Sequence, residues 1–146
     1  VINRKQLHAA AHALTAHADF LVIEGVGGFC VPLGDDWDSA DLAVDFALPV
    51  VLVVGLRLGC INHALLSAEA ITRRGLRLAG WVGNTLDANL PWYNDNLATL
   101  THELTRRHQT PCLGVVPWLQ HPDPAAVAPH FNTAALQHVF FKDPSP

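Results

Sequence analysis

A run of five apolar residues with no polar alternation, Val50 to Val54, constrains the fold of this chain more than any other segment. Pro49 precedes the run and Gly55 follows it, so the run has the length and the boundaries of a single strand. A strand that is apolar on both faces belongs in the middle of a parallel sheet covered by helices. The sequence therefore predicts an α/β fold.

Segments typical of helices and strands alternate along the rest of the chain. Apolar spacing and capping residues predict helices at about residues 4–17, 40–47, 61–74, 92–108 and 132–138. Short apolar runs predict strands at 20–24, 49–55, 78–83 and 112–116. Because the connections are short, we expect parallel strands joined by right-handed crossovers in a three-layer, mostly parallel sheet.

The composition fits one well-buried domain. Of the 146 residues, 50% are apolar and 15% are charged, and the net charge of −4 gives no basic surface for nucleic acid. The longest apolar run, 48–56, is far shorter than the roughly 20 residues that cross a membrane. Cys30, Cys60 and Cys112 lie far apart without a CxxC pair, which favours a reducing cytoplasm and gives zinc no support.

The chain contains no methionine and begins at Val1. We expect that upstream sequence is missing, although processing or a valine-coded start would also account for this beginning. The chain also lacks the GxxxxGK[ST] loop, whose backbone amides and lysine hold nucleotide phosphates. Lys5 has no glycine near it and does not replace that loop.

Glu24 ends the predicted strand 20–24 and is followed by Gly25, Gly27 and Gly28. Open α/β sheets bind ligands at the carboxyl ends of their strands, and glycines let the backbone approach a bulky anion. A carboxylate in this position can be a ligand of Mg²⁺, which prefers oxygen ligands and often keeps phosphate oxygens in its shell. A solvated acid before a flexible turn explains the same residues equally well.

The turn after the strongest strand offers a second anion site. Between Gly55 and His63, the strand meets a loop bracketed by glycines, and the loop runs into a predicted helix start. Free N–H groups and the helix dipole at such a start favour an anion such as a carboxylate, to which Arg57 could add charge. An ordinary turn is the alternative, and the local pattern by itself favours it.

Asn84 follows the strand 78–83, and Pro117 follows the strand 112–116. Both lie at the same predicted edge, where the donor and acceptor of an Asn side chain suit the edge of a purine base. A lone Asn after a strand is more often a turn residue.

Nine histidines raise the question of a metal site. His8 and His12 stand four residues apart on the first predicted helix, and His17 is near. Catalytic zinc sites usually recruit three protein ligands, and no third residue matches these two. We expect a solvated helix face instead.

In order and approximate spacing, these segments resemble dethiobiotin synthases from about residue 3 to residue 136. The most distinctive stretch is Leu58-Gly59-Cys60-Ile61-Asn62-His63-Ala64. The other matching stretches are 21–28, 48–55, 75–76, 78–82, 84 and 114–119. The resemblance implies a P-loop NTPase-like fold that lacks its N-terminal strand and phosphate loop, with the C-terminal part of one domain at 1–136 and a tail at 137–146.

The resemblance also implies an activity. Dethiobiotin synthases are ATP-dependent ligases of biotin synthesis that convert 7,8-diaminopelargonate and CO₂ (or bicarbonate) to dethiobiotin, releasing ADP and phosphate. A carbamate on one substrate amine takes the γ-phosphoryl group, and the neighbouring amine then closes the ureido ring. The implied enzyme is a cytoplasmic homodimer with ATP and Mg²⁺ as cofactors. Its phosphate loop and catalytic lysines lie upstream, so this chain alone is expected to hold no catalytic residue and to be inactive.

The resemblance implies which residues bind the metal ion and which bind the substrate. Glu24 would be a Mg²⁺ ligand near the nucleotide, and Gly27 would line the site shared by substrate and phosphate. The substrate carboxylate would be bound across the dimer interface by Tyr93 and by backbone amides of a segment that we term the carboxylate loop: Leu58, Gly59, Cys60, Ile61 and Asn62.

A further group is implied for the nucleotide. Asn84 would recognise adenine, helped by Pro117, Trp118 and Leu119, which we term the adenine segment. Asp123 would lie near the nucleotide sugar.

Two other functions remain open at this point. An amidotransferase-type P-loop ATPase acting on a different acid would share Glu24 and the sheet but not the carboxylate loop. A non-catalytic remnant would serve only as a dimerisation or binding module.

Overall fold

The computed structural model describes residues 2–141 of the chain. The chain forms two compact units, and the boundary between them in the sequence lies between Leu48 and Pro49. Apart from Ala40, every fully buried apolar residue among those described belongs to the second unit. None of the helices between residues 2 and 141 combines the length and the apolarity that crossing a membrane requires.

Two helices and a long irregular segment make up the first unit. Helix α1, Arg4–Thr15, begins after Asn3, whose side chain accepts a hydrogen bond from a first-turn N–H. Helix α2, Ser39–Phe46, begins with a reciprocal pair of hydrogen bonds, in which the carboxylates of Asp38 and Asp41 each accept from the other residue's N–H. Side chains that satisfy the free N–H groups of a first turn fix where each helix starts.

The segment predicted as a strand, 20–24, is irregular backbone in the structure. Val22 is 76% exposed and Val26 is 83% exposed, so apolar side chains of this region face solvent. A strand forms only where a neighbour satisfies its backbone hydrogen bonds, and no strand among residues 2–141 pairs with this segment. The prediction of a strand at 20–24 is therefore wrong for this chain.

An ion pair joins α1 to α2 inside the first unit. The Arg4 guanidinium donates from Nε and Nη2 to the two carboxylate oxygens of Asp45, at 2.5 and 2.6 Å. His8 Nε2 lies 2.9 Å from the same carboxylate, so His8 is part of this cluster and not simply of a solvated face. The hydrogen bond from Arg4, and then that with His8, lowers the pKa of Asp45 to about 2.

Within residues 2–141, the second unit contains one three-stranded sheet, in the order β1-β2-β3, with both pairs parallel. The strands are β1, Val50–Leu56; β2, Leu78–Thr85; and β3, Cys112–Val116. The helices are α3, Cys60–Arg73; α4, Tyr93–His108; α5, Pro124–Val127; and α6, Thr133–Phe140, with a 3₁₀ turn, Ala128–His130, between the last two. The α/β fold with parallel strands is confirmed.

The central strand of this sheet is β2, and it is the most buried. Trp81 is completely buried on it, and only Asn84 along its length is half-buried. The run 50–54 was predicted to lie in the middle of the sheet, but β1 is an edge strand among the described residues, and Val53 is 62% exposed. That prediction is wrong because the apolar run shows what the strand can bury, whereas its position depends on which strands pair with it.

Part of the core of the second unit lies between β2, β3 and α6. Its buried cluster consists of Ala79, Val82, Leu113, Val116 and Val139, and we term it the core cluster. Because Val139 belongs to it, the boundary predicted after residue 136 falls inside α6. The tail residues 142–146 lie outside the described part of the chain, and the limits of the domain stay a prediction.

Gly114 provides a test of the packing around β3. It forms an isolated antiparallel bridge with Phe131, and a Cβ at this position would lie 2.5 Å from the His130 carbonyl oxygen. Backbone atoms cannot give way as a side-chain tip can. We therefore expect Gly114→Ala to lower the free energy of unfolding in urea by about 1–3 kcal/mol. Gly25→Ala, whose Cβ would meet its nearest atom at 3.9 Å, is the control, and an equal loss in both variants would contradict this explanation.

Asp45 provides a test of the ion pair in the first unit. Its pKa is lower in the folded chain than the ordinary 3.8, so its contribution is complete above that value and is lost as the pH falls toward about 2. We expect Asp45→Asn to reduce the protection of α1 amides against hydrogen exchange at neutral pH. The difference in protection between Asp45→Asn and the parent chain should shrink as the pH falls from 3.8 toward about 2. Exposed Asp35 supplies the control variant, Asp35→Asn; a pH-independent effect of Asp45→Asn would contradict the ion-pair explanation.

Candidate functional site

The hydrogen-bond register aligns the carboxyl ends of the three strands. Leu56, the last residue of β1, pairs with Thr85, the last of β2. Asn84 pairs in turn with Val116, the last residue of β3. The carboxylate loop and the residues predicted to bind adenine therefore begin at one edge of the sheet, the kind of edge at which α/β sheets bind ligands.

Gly59 shapes the start of α3. Its φ of 89° lies in the left-handed region that favours glycine, and as the N-cap it has no side chain to offer to the first turn. The first hydrogen bond of the helix runs from the His63 N–H to the Gly59 carbonyl, at 3.1 Å. Since no side chain among the described residues caps this helix, the N–H groups of Ile61 and Asn62 stay available to an anion.

The side chains of the carboxylate loop differ widely in exposure. Cys60 is buried, with 3% of its surface exposed, and its N–H donates to the Arg57 carbonyl at 3.0 Å. The prediction that its amide binds the carboxylate is therefore wrong in this structure, because the amide already has a partner. Leu58 is 95% exposed and Asn62 is also exposed. For the other residues of the loop, recognition through backbone amides stays a prediction.

Tyr93 is the first residue of α4, the helix that follows β2. It is half-buried, and the residue before it, Trp92, has a φ of 57°, an uncommon conformation for an aromatic residue. Within residues 2–141, no hydrogen bond joins the Tyr93 side chain to the carboxylate loop. Its role beside that loop stays a prediction.

Asn84 and the adenine segment are brought together by the pairing of β2 with β3. Asn84 is half-buried, and its side-chain amide makes no hydrogen bond within the described residues, so both of its groups are available. The adenine segment starts directly after Val116, the strand partner of Asn84. Trp118 is 49% exposed, whereas Leu119 packs against the core cluster and anchors the segment.

Asp123 has a structural role that the sequence analysis missed. It is the N-cap of α5, and its carboxylate accepts a hydrogen bond from the Ala126 N–H at 2.8 Å. The Asp-Pro pair at 123–124 was the available signal, because Asp is favoured at an N-cap and Pro at the first helical position. One carboxylate oxygen of Asp123 is thus already engaged, and its contact with a nucleotide sugar stays a prediction.

Thr85 is a further candidate that the sequence analysis did not single out. Only 9% of its surface is exposed, and its Oγ1 has no hydrogen-bond partner among the described residues. A buried hydroxyl without a partner is costly, which makes contact with a bound molecule or water a natural explanation. Its position next to Asn84 at the end of a strand was the only signal in the sequence.

Glu24 and Gly27 lie in the first unit, on irregular backbone. Both are exposed, and Gly27 has a φ of 82°. Among residues 2–141, no three histidine, cysteine or acidic side chains come together as a group that could hold a metal ion. A single carboxylate still fits Mg²⁺, which usually takes one or two from a protein and completes its shell with waters and phosphate oxygens. The roles of Glu24 and Gly27 at the phosphate end of the nucleotide stay predictions.

Two surface depressions have none of these residues in their lining. One, of about 520 Å³, is lined in the first unit by residues of α1 together with Leu21 and Ile23. The other, of about 570 Å³, is lined by residues at the end of α6. Neither contains a residue predicted to bind substrate or nucleotide. The evidence for the candidate site is therefore the alignment of the strand ends and not a cavity.

Comparison with known proteins identifies the family of this chain. The model of a family described as AAA domain matches residues 2–126. The ATP-dependent dethiobiotin synthetase BioD of Ralstonia nicotianae is 56% identical over 128 residues, which are 88% of this chain and 54% of that protein. The proteins of the same name from Janthinobacterium sp. (strain Marseille) and Aromatoleum aromaticum are 56% identical over 119 residues and 53% identical over 127 residues.

These matches cover most of this chain but only about half of each relative. They cover 82% and 87% of this chain for the latter two proteins, but only 49% and 55% of the relatives themselves. The chain thus spans about half the length of the curated relatives that it matches. It belongs to the family described as AAA domain, and over most of its length it is similar to the C-terminal part of the proteins named ATP-dependent dethiobiotin synthetase BioD.

Proposed function

We propose that this chain is the C-terminal part of a ligase that forms dethiobiotin from 7,8-diaminopelargonate and CO₂ at the expense of ATP. The observation that carries the proposal is the single sheet edge that presents both the uncapped start of α3 and the free amide of Asn84. The helix start suits a carboxylate, and the amide suits a purine base. A ligase that couples ATP to a substrate with a carboxylate head group needs both.

In this proposal, the carboxylate loop binds the carboxylate of 7,8-diaminopelargonate. The N–H groups of Ile61 and Asn62 would donate to it, and the partial positive charge at the start of α3 would add to their attraction. Tyr93 would donate one further hydrogen bond from its hydroxyl. Holding the carboxylate at one end of the substrate fixes the direction of the aliphatic chain and of the two amines beyond it.

The adenine base of ATP would lie between Asn84 and the adenine segment. An Asn side chain offers one donor group and one acceptor, which match the amino group and the adjacent ring nitrogen of adenine. The exposed ring of Trp118 offers an aromatic face beside that position. Asp123 would approach the sugar with the carboxylate oxygen that is not used to cap α5, and Pro117 and Leu119 would hold the segment in place.

Glu24 and Gly27 would serve the phosphate end of the nucleotide. Mg²⁺, when bound, supplies positive charge against the phosphate oxygens, and Glu24 would provide one of its oxygen ligands. Gly27, with no Cβ, leaves room for the phosphate and the reacting amine to approach its backbone.

The proposed reaction has three balanced steps on the substrate. One amine nitrogen attacks CO₂ and loses a proton, which gives a carbamate. A carbamate oxygen then takes the γ-phosphoryl group and ADP leaves. The second amine attacks the carbamate carbon and loses a proton, and phosphate leaves as the ureido ring closes. Phosphoryl transfer depends on positioning and on charge stabilisation. We assign that function to the half of the enzyme that this chain does not span, and substrate positioning to this chain.

The proposal includes a homodimer in the cytoplasm. Leu58, at 95% exposure, would be covered if the carboxylate loop lies against a second subunit. No disulfide joins the cysteines of the described part of the chain, which suits a reducing compartment.

Joining this chain to the N-terminal half of the Ralstonia relative tests the proposed function directly. We expect the resulting chimera to form dethiobiotin and ADP from 7,8-diaminopelargonate, bicarbonate and Mg-ATP, and the chain alone to form neither. The measurement is the release of ADP together with product detection by mass spectrometry. Turnover by the chain alone would contradict the assignment of phosphoryl transfer to the other half of the enzyme. A folded chimera that binds ATP without turnover would indicate that this chain is only a binding module.

Two single substitutions in the chimera separate the two ends of the site. Tyr93→Phe removes a hydrogen bond to a charged group and should raise the KM for 7,8-diaminopelargonate roughly tenfold or more. Asn84→Ala removes hydrogen bonds to a neutral base and should raise the KM for ATP by roughly three- to tenfold. Each variant is the control for the other, because each should leave the second KM within about twofold. Unchanged kinetics for 7,8-diaminopelargonate in Tyr93→Phe would favour an ATPase that acts on a different acid.

A further inference from the structure

Arg57 directly follows β1, and its backbone is fixed against the start of α3. The Arg57 carbonyl accepts the hydrogen bond from the Cys60 N–H at 3.0 Å, which closes a four-residue turn. Gly59 has a φ of 89° and a ψ of −3°, which match the third position of a type II turn. Because the two ends of such a turn lie less than about 7 Å apart, the long Arg57 side chain can reach the first turn of α3.

The exposed Arg57 guanidinium has no partner in the described part of the chain. Within residues 2–141 its side chain makes no hydrogen bond, ion pair or ring contact. Arg73, at the other end of the same helix, differs in this respect, because it pairs with Glu69 at 2.8 Å. The donors of Arg57 are therefore available to a bound molecule.

The position of this charge is unfavourable unless an anion is present. The start of a helix carries a partial positive charge, and cations stabilise the opposite end. The first turn of α3 contains no acidic residue, and Gly59 has no side-chain oxygen to offer to it. Arg57 thus adds a positive charge where the helix already supplies one, and an anion would compensate both.

We propose that Arg57 binds the substrate carboxylate together with the N–H groups of Ile61 and Asn62, and that it selects substrates with a negatively charged head group. This inference rests on the proposed function, in which 7,8-diaminopelargonate occupies the carboxylate loop. A guanidinium and two N–H groups offer enough donors for both carboxylate oxygens. The N–H groups by themselves would also accept a neutral carbonyl oxygen as a partner. Arg57 therefore supplies the preference for the acid over an ester.

Arg57→Gln in the chimera described above tests this inference, with the methyl ester of 7,8-diaminopelargonate as the neutral substrate. We expect the KM for the acid to rise roughly tenfold and the KM for the ester to change less than about twofold, since only the acid loses a charge-assisted hydrogen bond. The value of kcat should change little, because the head group is remote from the reacting amines.

Two further variants serve as controls. Arg57→Lys keeps the charge and should restore part of the preference for the acid. Arg73→Gln removes the same charge from the far end of α3, where the side chain is 79% exposed, and should change neither KM. An equal rise of the KM for the acid in Arg57→Gln and Arg73→Gln would show a general effect of net charge and would overturn the inference.

The same measurements separate this inference from the proposed function. If Arg57→Gln leaves the KM for the acid within about twofold of the parent value while Tyr93→Phe raises it, only the role of Arg57 is lost. If both variants are without effect, the carboxylate site of the proposed function is lost as well. A folded chimera that forms no dethiobiotin would overturn the proposed function and, with it, the role of Arg57.

Thermal stability separates substrate binding from a structural role. Without ligand, Arg57→Gln should leave the Tm of the chimera unchanged or raise it, because the substitution removes a cation from the positive end of a helix. A Tm that lies more than about 3 °C below that of Arg73→Gln would show that Arg57 stabilises the fold through a partner in the other half of the chimera. That result would overturn the inference.

Discussion

The pairing of β2 with a strand on each side is the constraint on which the second unit depends. It places Trp81 in the centre of the core and leaves almost no part of the strand exposed. The same two ladders fix where the strands end, because Leu56 is level with Thr85 and Asn84 is level with Val116. Stability and site geometry therefore have one origin, since any shift of register would separate the carboxylate loop from the adenine segment.

The first unit is organised by a different interaction. Within the described residues, it has no paired strand, and α1 buries no side chain completely. The ion pair of Arg4 with Asp45 holds its two helices together at a partly exposed position, where water weakens such pairs. Glu24 lies on the irregular backbone of this unit. If Glu24 binds a metal ion, its position would become fixed only when the phosphate binds. The N–H groups at the start of α3, by contrast, are already in place without a ligand.

Local patterns in the sequence were enough to predict the three strands and the longer helices of the second unit, because apolar periodicity and turn residues determine each element separately. Strand 112–116 was predicted to the residue, and Asn84 was correctly expected at the strand ends. The strand at 20–24 and the central place of β1 were wrong, since pairing depends on a neighbour that no local pattern contains. The contact of Arg4 with Asp45 spans 41 residues, and the unpartnered hydroxyl of Thr85 depends on burial, so neither had a local signature.

Strand β1 and the carboxylate loop are consecutive in the chain, which links the sheet to the candidate anion site. Leu56 ends β1, and Gly59 already caps α3, so only two residues separate the strand from the helix start. The ladder between β1 and β2 restricts the motion of the carboxyl end of β1, and through this short connection it restricts the N–H groups at the start of α3. Order gained by a site before its ligand arrives lowers the entropic cost of binding. The pairing that stabilises the second unit therefore also prepares the start of α3 for an anion.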